Sequence, residues 1–155
     1  MNESNVIIEK ATIDDAQEIL ALQKFAYQTE ANLYGGYPIP PLVESLDDLK
    51  KNFESHIFLK AMVEGKIVGS VRVLEKDGTC HVARLMVHPD WQNRGIGAKL
   101  LREVERVLPA CRRFELFTGT KSEKNIRLYE KAGYRAFKVE KPTDNVELVF
   151  LEKAR

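Results

Sequence analysis

The sequence predicts an α/β fold built on a mixed β-sheet, and the order of its segments carries that prediction. Strand-like and helix-like stretches follow one another as β-α-α-β-β-β-α-β-α-β-β over 155 residues. A strand, a helix and a further strand in the second half imply a crossover and therefore one parallel pair. Short turns join most of the other strands, so the sheet should otherwise be antiparallel. No linker interrupts the pattern, and residues 1–155 are expected to form one domain.

The first half of the chain predicts a short strand and two helices. Branched residues at 6–8 favour the strand, and the capping-box pattern at 12–15 begins a helix whose apolar residues recur at helical spacing. Glycines and prolines at 34–41 break helix and strand alike, so we expect irregular structure there. Residues 45–53 then predict a second, shorter helix.

Branched and aromatic residues dominate the middle of the chain and predict three consecutive strands. The first two, Ile57–Val63 and residues 67–74, are separated by Glu64 and Gly65, a pair typical of a two-residue hairpin turn. A second turn at 76–78 leads into a strand over Thr79–Val87.

The second half predicts two helices among the remaining strands. Apolar residues from Ile96 trace an amphipathic helix that ends at Pro109. A strand at 114–118 is followed by a helix at 122–132, with Gly133 at the position where helices commonly end. A hairpin closes the chain, and its strands fall at 134–139 and 146–151. We expect that hairpin to offer an edge for a homodimer.

Composition excludes several classes of protein. Lys and Arg number 24 against 23 Asp and Glu, a formal net charge of +1, so the basic excess usual in nucleic-acid binders is absent. No apolar run approaches the roughly 20 residues of a membrane span, and the N-terminus lacks a signal-peptide pattern. Cys80 and Cys111 form no CxxC pair and are expected to be reduced thiols, which favours a cytoplasmic protein. No His, Cys or acidic cluster has ligand spacing, and no metal is predicted.

The stretch QNRGIG, residues 92–97, stands directly before a helix. It fails the phosphate-loop motif, since Ala98 follows Gly97, and it fails the dinucleotide motif, since Leu100 stands at the third glycine position. The first N–H groups of the helix nevertheless lack intrahelical partners and carry partial positive charge. Glycines there would let an anion approach closely. Taken alone, the glycines favour a tight turn over an anion site.

Two blocks give this stretch a different interpretation. Residues 87–97, V-H-P-x-W-Q-x-x-G-I-G, contain the pattern [Q/R]-x-x-G-x-[G/A], and residues 125–134 contain L-Y-x-K-x-G-[F/Y]. Both patterns, at this spacing and in this element order, resemble the GNAT superfamily of N-acetyltransferases. The resemblance covers residues 6–151 and implies the fold of that family, whose sheet contains a splayed parallel pair.

The resemblance implies an enzyme that moves an acetyl group from acetyl-CoA to a primary amine by direct attack in a ternary complex. The alternative is a non-catalytic CoA-binding sensor or interaction module on the same scaffold. The strand before the loop would pair with pantetheine, and the loop amides would hold the pyrophosphate. The residues implied in cofactor binding are Leu85, Met86, Val87, Gln92, Asn93, Arg94, Gly95, Ile96, Gly97, Ala98, Asn125 and Tyr129.

The resemblance also implies catalytic roles. Tyr129 matches the family tyrosine that often protonates the leaving thiolate, and an amide near Leu85 would stabilise the oxyanion. The base is left open between His81, Glu30 and a water molecule. Strand alternation is expected to divide the two faces as His81, Ala83 and Leu85 against Val82, Arg84 and Met86.

The acceptor pocket is expected in the segment where relatives build it, residues 30–41. Glu30, Tyr34 and Tyr37 are the candidate substrate-binding residues. Asn125 is preferred to Ser122 as the contact to pantetheine, and Ser122 is expected to cap its helix through its side chain. The identity of the acceptor amine is not predicted.

Overall fold

A computed structural model describes residues 5–155 of the chain. Seven strands and five α-helices make up this part, with short 3-10 turns at Ile13–Asp15 and Pro89–Trp91. The strands are β1 (Ile7–Lys10), β2 (Ile57–Val63), β3 (Lys66–Lys76), β4 (Thr79–Val87), β5 (Arg113–Gly119), β6 (Arg135–Thr143) and β7 (Val146–Ala154). The helices are α1 (Ala16–Asn32), α2 (Pro40–Val43), α3 (Leu46–Asn52), α4 (Ile96–Val107) and α5 (Glu123–Lys131).

The strands form one sheet in the order β1-β2-β3-β4-β5-β7-β6. All neighbours pair antiparallel except β4 and β5, which are parallel and joined through α4. The predicted mixed α/β sheet with one parallel pair is therefore confirmed. The β4–β5 ladder joins only residues 79–81 to residues 113–115, and the strands then diverge.

Helices cover both faces of the sheet. On one face, α4 contributes Leu100, Leu101 and Val104 to a core that also contains Phe114 of β5. On the other face, α1 and α3 form a smaller cluster around Ile19. The periodicity of α4 identifies its inward side correctly, because an amphipathic helix buries the stripe that its apolar residues trace.

A β-bulge in β4 overturns the expected alternation of its side chains. Met86 lies opposite Ser70, but Ala83 lies opposite Arg72, so two residues of β4 oppose one of β3. Arg84 takes a left-handed conformation with φ of 54° at this point. The extra residue reverses the faces beyond it. Leu85 therefore packs in the same core as Val82, and Met86 packs in the cluster on the α1 side.

The turn residues mostly behave as their types predict, with one exception. Glu64 and Gly65 have φ values of 51° and 79°, as a type I′ hairpin turn requires. Irregular structure was predicted for residues 34–41, but the last two of them begin the short helix α2. Pro40 and Pro41 lie in its first turn, where a missing N–H removes no intrahelical hydrogen bond.

The C-terminal hairpin leaves β6 at one edge of the sheet. Residues 135–142 of that strand are all exposed. Homodimer formation through this edge stays a prediction. Within residues 5–155 no helix is long and apolar enough to cross a membrane.

A buried ion pair joins the segment after α2 to the sheet. Arg72 of β3 donates to both carboxylate oxygens of Glu44, at 2.9 and 3.0 Å, and to Gln23 of α1 at 3.0 Å. Gln23 in turn donates to Glu44 at 2.8 Å. The side chains of Arg72 and Glu44 are only 5% and 8% exposed. Burial opposes ionisation of Glu44, but the hydrogen bonds and charge of Arg72 outweigh it and lower the pKa of that carboxyl.

Glu44→Gln should destabilise the fold, because it leaves the Arg72 guanidinium buried without a counter-charge. We expect a loss of about 3 kcal/mol in the free energy of unfolding near pH 7, measured by urea denaturation. A carboxyl whose pKa is lowered by folding stabilises above its unfolded pKa and loses that contribution as pH falls through its folded pKa. The difference in the free energy of unfolding between wild type and Glu44→Gln should therefore become smaller in acid.

The matched control is Glu54→Gln, since Glu54 is exposed in the turn after α3. It should change the free energy of unfolding by less than about 0.5 kcal/mol. If Glu44→Gln is as stable as this control, the Arg72–Glu44 ion pair does not stabilise the fold.

Candidate active site

A cleft opens where β4 and β5 diverge, and it contains two cavities that meet. The glycine-loop cavity, about 650 Å³, is lined by the loop before α4 and by α5. The tyrosine-lined cavity, about 410 Å³, is lined by Tyr27, Tyr34, Tyr37 and Tyr129 among others. Four residues line both cavities: Tyr27, Glu30, Leu85 and Asn125. The two cavities therefore meet at these four residues.

Hydrogen bonds and left-handed residues shape the loop before α4. Gln92 donates to the carbonyl oxygen of Val87 at 3.2 Å and accepts from Lys124 at 2.8 Å. Asn93 and Gly95 have φ values of 65° and 80°, and Gly95 is the N-cap residue of α4. The N-terminus of α4 therefore faces the cavity with amides that have no intrahelical partner.

Six of the seven residues predicted for this loop line the glycine-loop cavity, and Arg94 does not. Its guanidinium stacks on the ring of Trp91 at 4.7 Å from the centroid. Gly97 has a packing role as well, because a Cβ atom there would lie 3.1 Å from Leu128 of α5. Glycine at 97 thus permits the close approach of α4 and α5, whereas Gly95 supplies the left-handed turn.

A row of cations on and beside α5 was missed by the sequence reasoning. Lys121, Lys124, Arg127 and Lys131 line the glycine-loop cavity, against two carboxylates, Glu30 and Glu123. Their spacing of three or four residues would have placed them on one helical face. The cavity is therefore electropositive where the loop amides also face it.

Tyr129 lies on α5 and lines the tyrosine-lined cavity with only 5% of its surface exposed. Burial raises its pKa well above the ordinary tyrosine value, and the nearby Tyr27 and Glu30 add to the shift. The phenol is therefore protonated at neutral pH and can donate a proton or a hydrogen bond.

Glu30, at the C-terminal end of α1, joins α1 to α5. Its Oε1 accepts from Ser122 Oγ at 2.7 Å and from Asn125 Nδ2 at 2.9 Å. Burial raises the pKa of Glu30, and the Ser122 hydrogen bond opposes that shift. The expectation that Ser122 caps α5 with its side chain is wrong: it occupies the N-cap position, but its hydroxyl bonds Glu30 instead.

His81, the other candidate base, lies outside both cavities. It belongs to the last pair of the β4–β5 ladder, opposite Glu115, whereas the strand begins to line the cleft at Val82. The structure therefore brings Glu30, Asn125 and Tyr129 together in one cavity. His81 lies before the point at which β4 and β5 diverge.

Tyr27 was not predicted as a site residue, yet it lies where the cavities meet. Its hydroxyl donates to the carbonyl oxygen of Leu85 at 3.0 Å, and burial raises its pKa to about 12. Its position three residues before Glu30, on the same face of α1, is the signal that could have identified it.

Tyr34 and Tyr37, which the sequence analysis assigns to an acceptor pocket, both line the tyrosine-lined cavity, and their role in binding an acceptor stays a prediction. Tyr34 Oη accepts from the backbone N–H of Lys121 at 3.2 Å. A Cβ atom at Gly119 would overlap the Tyr34 hydroxyl, so the glycine leaves room for that ring. Among the described residues, no group of three or more His, Cys, Asp or Glu could hold a metal ion.

A comparison with protein families decides what this arrangement belongs to. The model described as the acetyltransferase (GNAT) family matches residues 16–134. The chain belongs to this family. The matched stretch contains the glycine loop, the divergent strands and nearly all of the residues that line the two cavities of this GNAT protein.

Two named relatives are similar in sequence to part of the chain. UPF0157 protein YqkA of Bacillus subtilis is 32% identical over 127 residues, which cover 82% of this chain and 36% of that protein. Acetyltransferase ECA0875 of Pectobacterium atrosepticum is 36% identical over 87 residues, 55% of this chain and 62% of that protein. The chain thus spans less than two thirds of the length of either relative.

Solved structures share the fold. The PaiA N-acetyltransferase of Thermoplasma acidophilum, in complex with coenzyme A, aligns with a TM-score of 0.79 at 19% identity, over 97% of this chain and 99% of that one. The ribosomal-protein-S18-alanine N-acetyltransferase of Escherichia coli aligns with a TM-score of 0.77 at 17% identity, over 96% and 93%. At such identities the likeness concerns the fold alone.

Proposed function

We propose that this GNAT protein transfers an acetyl group from acetyl-CoA to the primary amine of an acceptor, by direct attack in a ternary complex. The observation that carries the proposal is the meeting of two cavities at Glu30, Leu85 and Asn125. Acetyl-CoA would occupy the glycine-loop cavity and the amine the tyrosine-lined cavity. The thioester carbon and the amine nitrogen would then meet in the gap between β4 and β5.

The cofactor would be held by three features of the chain. The edge of β4 at Leu85, Met86 and Val87 would pair with the pantetheine arm like an added strand, because β5 no longer pairs with it there. The loop amides at residues 92–98 would hold the pyrophosphate, and the cations of α5 would neutralise its phosphates. Asn125, at the junction, would contact the arm through its amide.

The chemistry needs one bond formed, one bond broken and two proton movements. The amine nitrogen attacks the thioester carbon, and the oxyanion that forms is stabilised by an amide near Leu85. Glu30 takes the amine proton, directly or through one water molecule, because it lines both cavities and His81 lines neither. The C–S bond then breaks, and Tyr129 protonates the departing thiolate of CoA.

The two thiols of the chain favour direct transfer over an acyl-enzyme. Cys80 and Cys111 are both buried, at 0% and 1% exposure. Burial raises the pKa of Cys80 to about 12 and also raises that of Cys111. A thiol that stays protonated at neutral pH is a poor nucleophile.

The primary test measures acetyl-CoA binding and turnover together, using a panel of primary amines. We expect turnover with at least one amine class, and we expect Lys124→Glu with Arg127→Glu to weaken acetyl-CoA binding by about tenfold or more at low salt. The control is Lys50→Glu with Lys51→Glu on the remote helix α3. Binding without turnover across the panel would support the alternative, a CoA-binding sensor or interaction module.

Tyr129→Phe should lower kcat by about 100-fold with little change in KM, because it removes only the proton donor. The matched control is Tyr134→Phe, whose hydroxyl is buried without a hydrogen-bond partner in the described structure. Steady-state kinetics would compare the two variants. Equal rates for both would assign Tyr129 to packing.

Glu30→Gln should remove the acidic limb of the profile of kcat/KM against pH. The base acts when ionised, so the rate falls as pH drops through its pKa, and burial places that pKa above the ordinary 4.5. His81→Gln should retain the limb, since His81 lies outside both cavities. Loss of the limb in His81→Gln and its survival in Glu30→Gln would reverse the assignment.

A further inference from the structure

The tyrosine-lined cavity contains two charges of opposite sign. Among the described residues that line it, only Glu30 and Arg84 are ionic. The rest of its wall is mainly tyrosine, proline and aliphatic side chains, with two threonines and the amide of Asn125. A ligand that fills this space therefore meets one carboxylate, one guanidinium and a largely apolar surface.

Arg84 is a cation with incomplete pairing. Its Nε atom is buried without a hydrogen-bond partner, and the side chain is 21% exposed. The nearest carboxylate oxygen, Oε1 of Glu44, lies 3.7 Å from Nε, which is too far for a hydrogen bond. Glu44 already accepts hydrogen bonds from Arg72 and Gln23.

The charges around Arg84 do not balance. Arg72 and Arg84 share the single carboxylate of Glu44, which leaves the cluster with a net charge of +1 beside the cavity. Burial lowers the pKa of Arg84, as expected for a guanidinium that has lost water without gaining a full partner. An anion in the cavity would complete the pairing, because buried charges are stable when they are matched and hydrogen-bonded.

The bulge places Arg84 next to the reaction point. Arg84 takes a left-handed conformation that residues with side chains rarely adopt, and the next residue, Leu85, lies where the two cavities meet. The charge of Arg84 also acts on Tyr27, which lines both cavities. An anion bound at Arg84 would therefore share one cavity with Glu30 and with the position proposed for the attacking amine. In an α-amino acid the carboxylate and the amine are joined through one carbon atom, which suits binding of both groups in that one cavity.

We propose that the acceptor is an α-amino acid with an apolar side chain, whose carboxylate binds Arg84 and whose amine faces Glu30. This proposal rests on the acetyl transfer proposed above and names its substrate class. The side chain of the acceptor would lie against Ile39, Val146 and Leu148. A polyamine fits less well, because the cavity has only one carboxylate, Glu30, to pair with its ammonium groups, and Arg84 would repel them.

The test compares amino acids with their carboxamides, which keep the amine and the side chain but lack the negative charge. L-leucine, L-methionine and L-phenylalanine would be assayed against their amides with acetyl-CoA. We expect wild type to favour the acids by roughly 10- to 100-fold in kcat/KM, the usual range for a hydrogen-bonded charge. Arg84→Gln should lose that preference, and Arg84→Lys should keep part of it.

The matched control is Arg102→Gln, since Arg102 is exposed on α4 and lines neither cavity. It should keep the wild-type ratio of acid to amide. Each kcat/KM is calculated on the concentration of unprotonated amine, because the carboxylate of a free amino acid raises the pKa of its amine above that of the amide. Circular dichroism would check folding, and the wild-type ratio tests the proposal even if Arg84→Gln does not fold.

Wild type that acetylates the amides as fast as the acids would overturn the amino-acid proposal and leave acetyl transfer intact. The same conclusion follows if folded Arg84→Gln keeps the preference for acids. Binding of acetyl-CoA with no acetylation of any amine would overturn the proposed function itself, so the two failures are distinguishable.

Discussion

The short parallel ladder between β4 and β5 is the constraint on which the cleft depends. Three residue pairs, ending at His81 and Glu115, hold the strands together before they separate. Each strand stays paired on its other edge, β4 with β3 and β5 with β7, so the opening does not unravel the sheet. The gap exposes the edge of β4 while the sheet around it remains rigid. The residues that β4 and β5 contribute to the site are therefore positioned by paired strands.

The bulge at Arg84 and the buried ion pair behind it shape the tyrosine-lined side of the cleft. The bulge turns Leu85 into the same core as Val82 and aims the strand at the junction of the cavities. Arg72 and Glu44 fix the segment that covers that side, with Gln23 of α1 completing the network. The net positive charge beside the tyrosine-lined cavity thus arises in part from Arg72 and Glu44, which also stabilise the fold.

Local patterns predicted much of this molecule. Strands β2 and β4 fall at their predicted bounds, and Gly133 has the positive φ common in a glycine just after a helix. The bulge was missed, because nothing in the sequence around Arg84 distinguishes an inserted residue from ordinary alternation. The hydrogen bond from Ser122 to Glu30 was also missed, since it joins residues 92 positions apart.

The sequence by itself determined the element order, the glycine loop and the membership of Asn125 and Tyr129 in one motif, because these depend on spacing within one segment. Only the tertiary structure decided that Glu30 reaches the junction and His81 does not. It also decided that Tyr27 bonds Leu85 and that Arg84 meets the cavity. Those relations depend on where β4 and β5 separate and how α1 packs over the gap, which are long-range contacts that local periodicity does not encode.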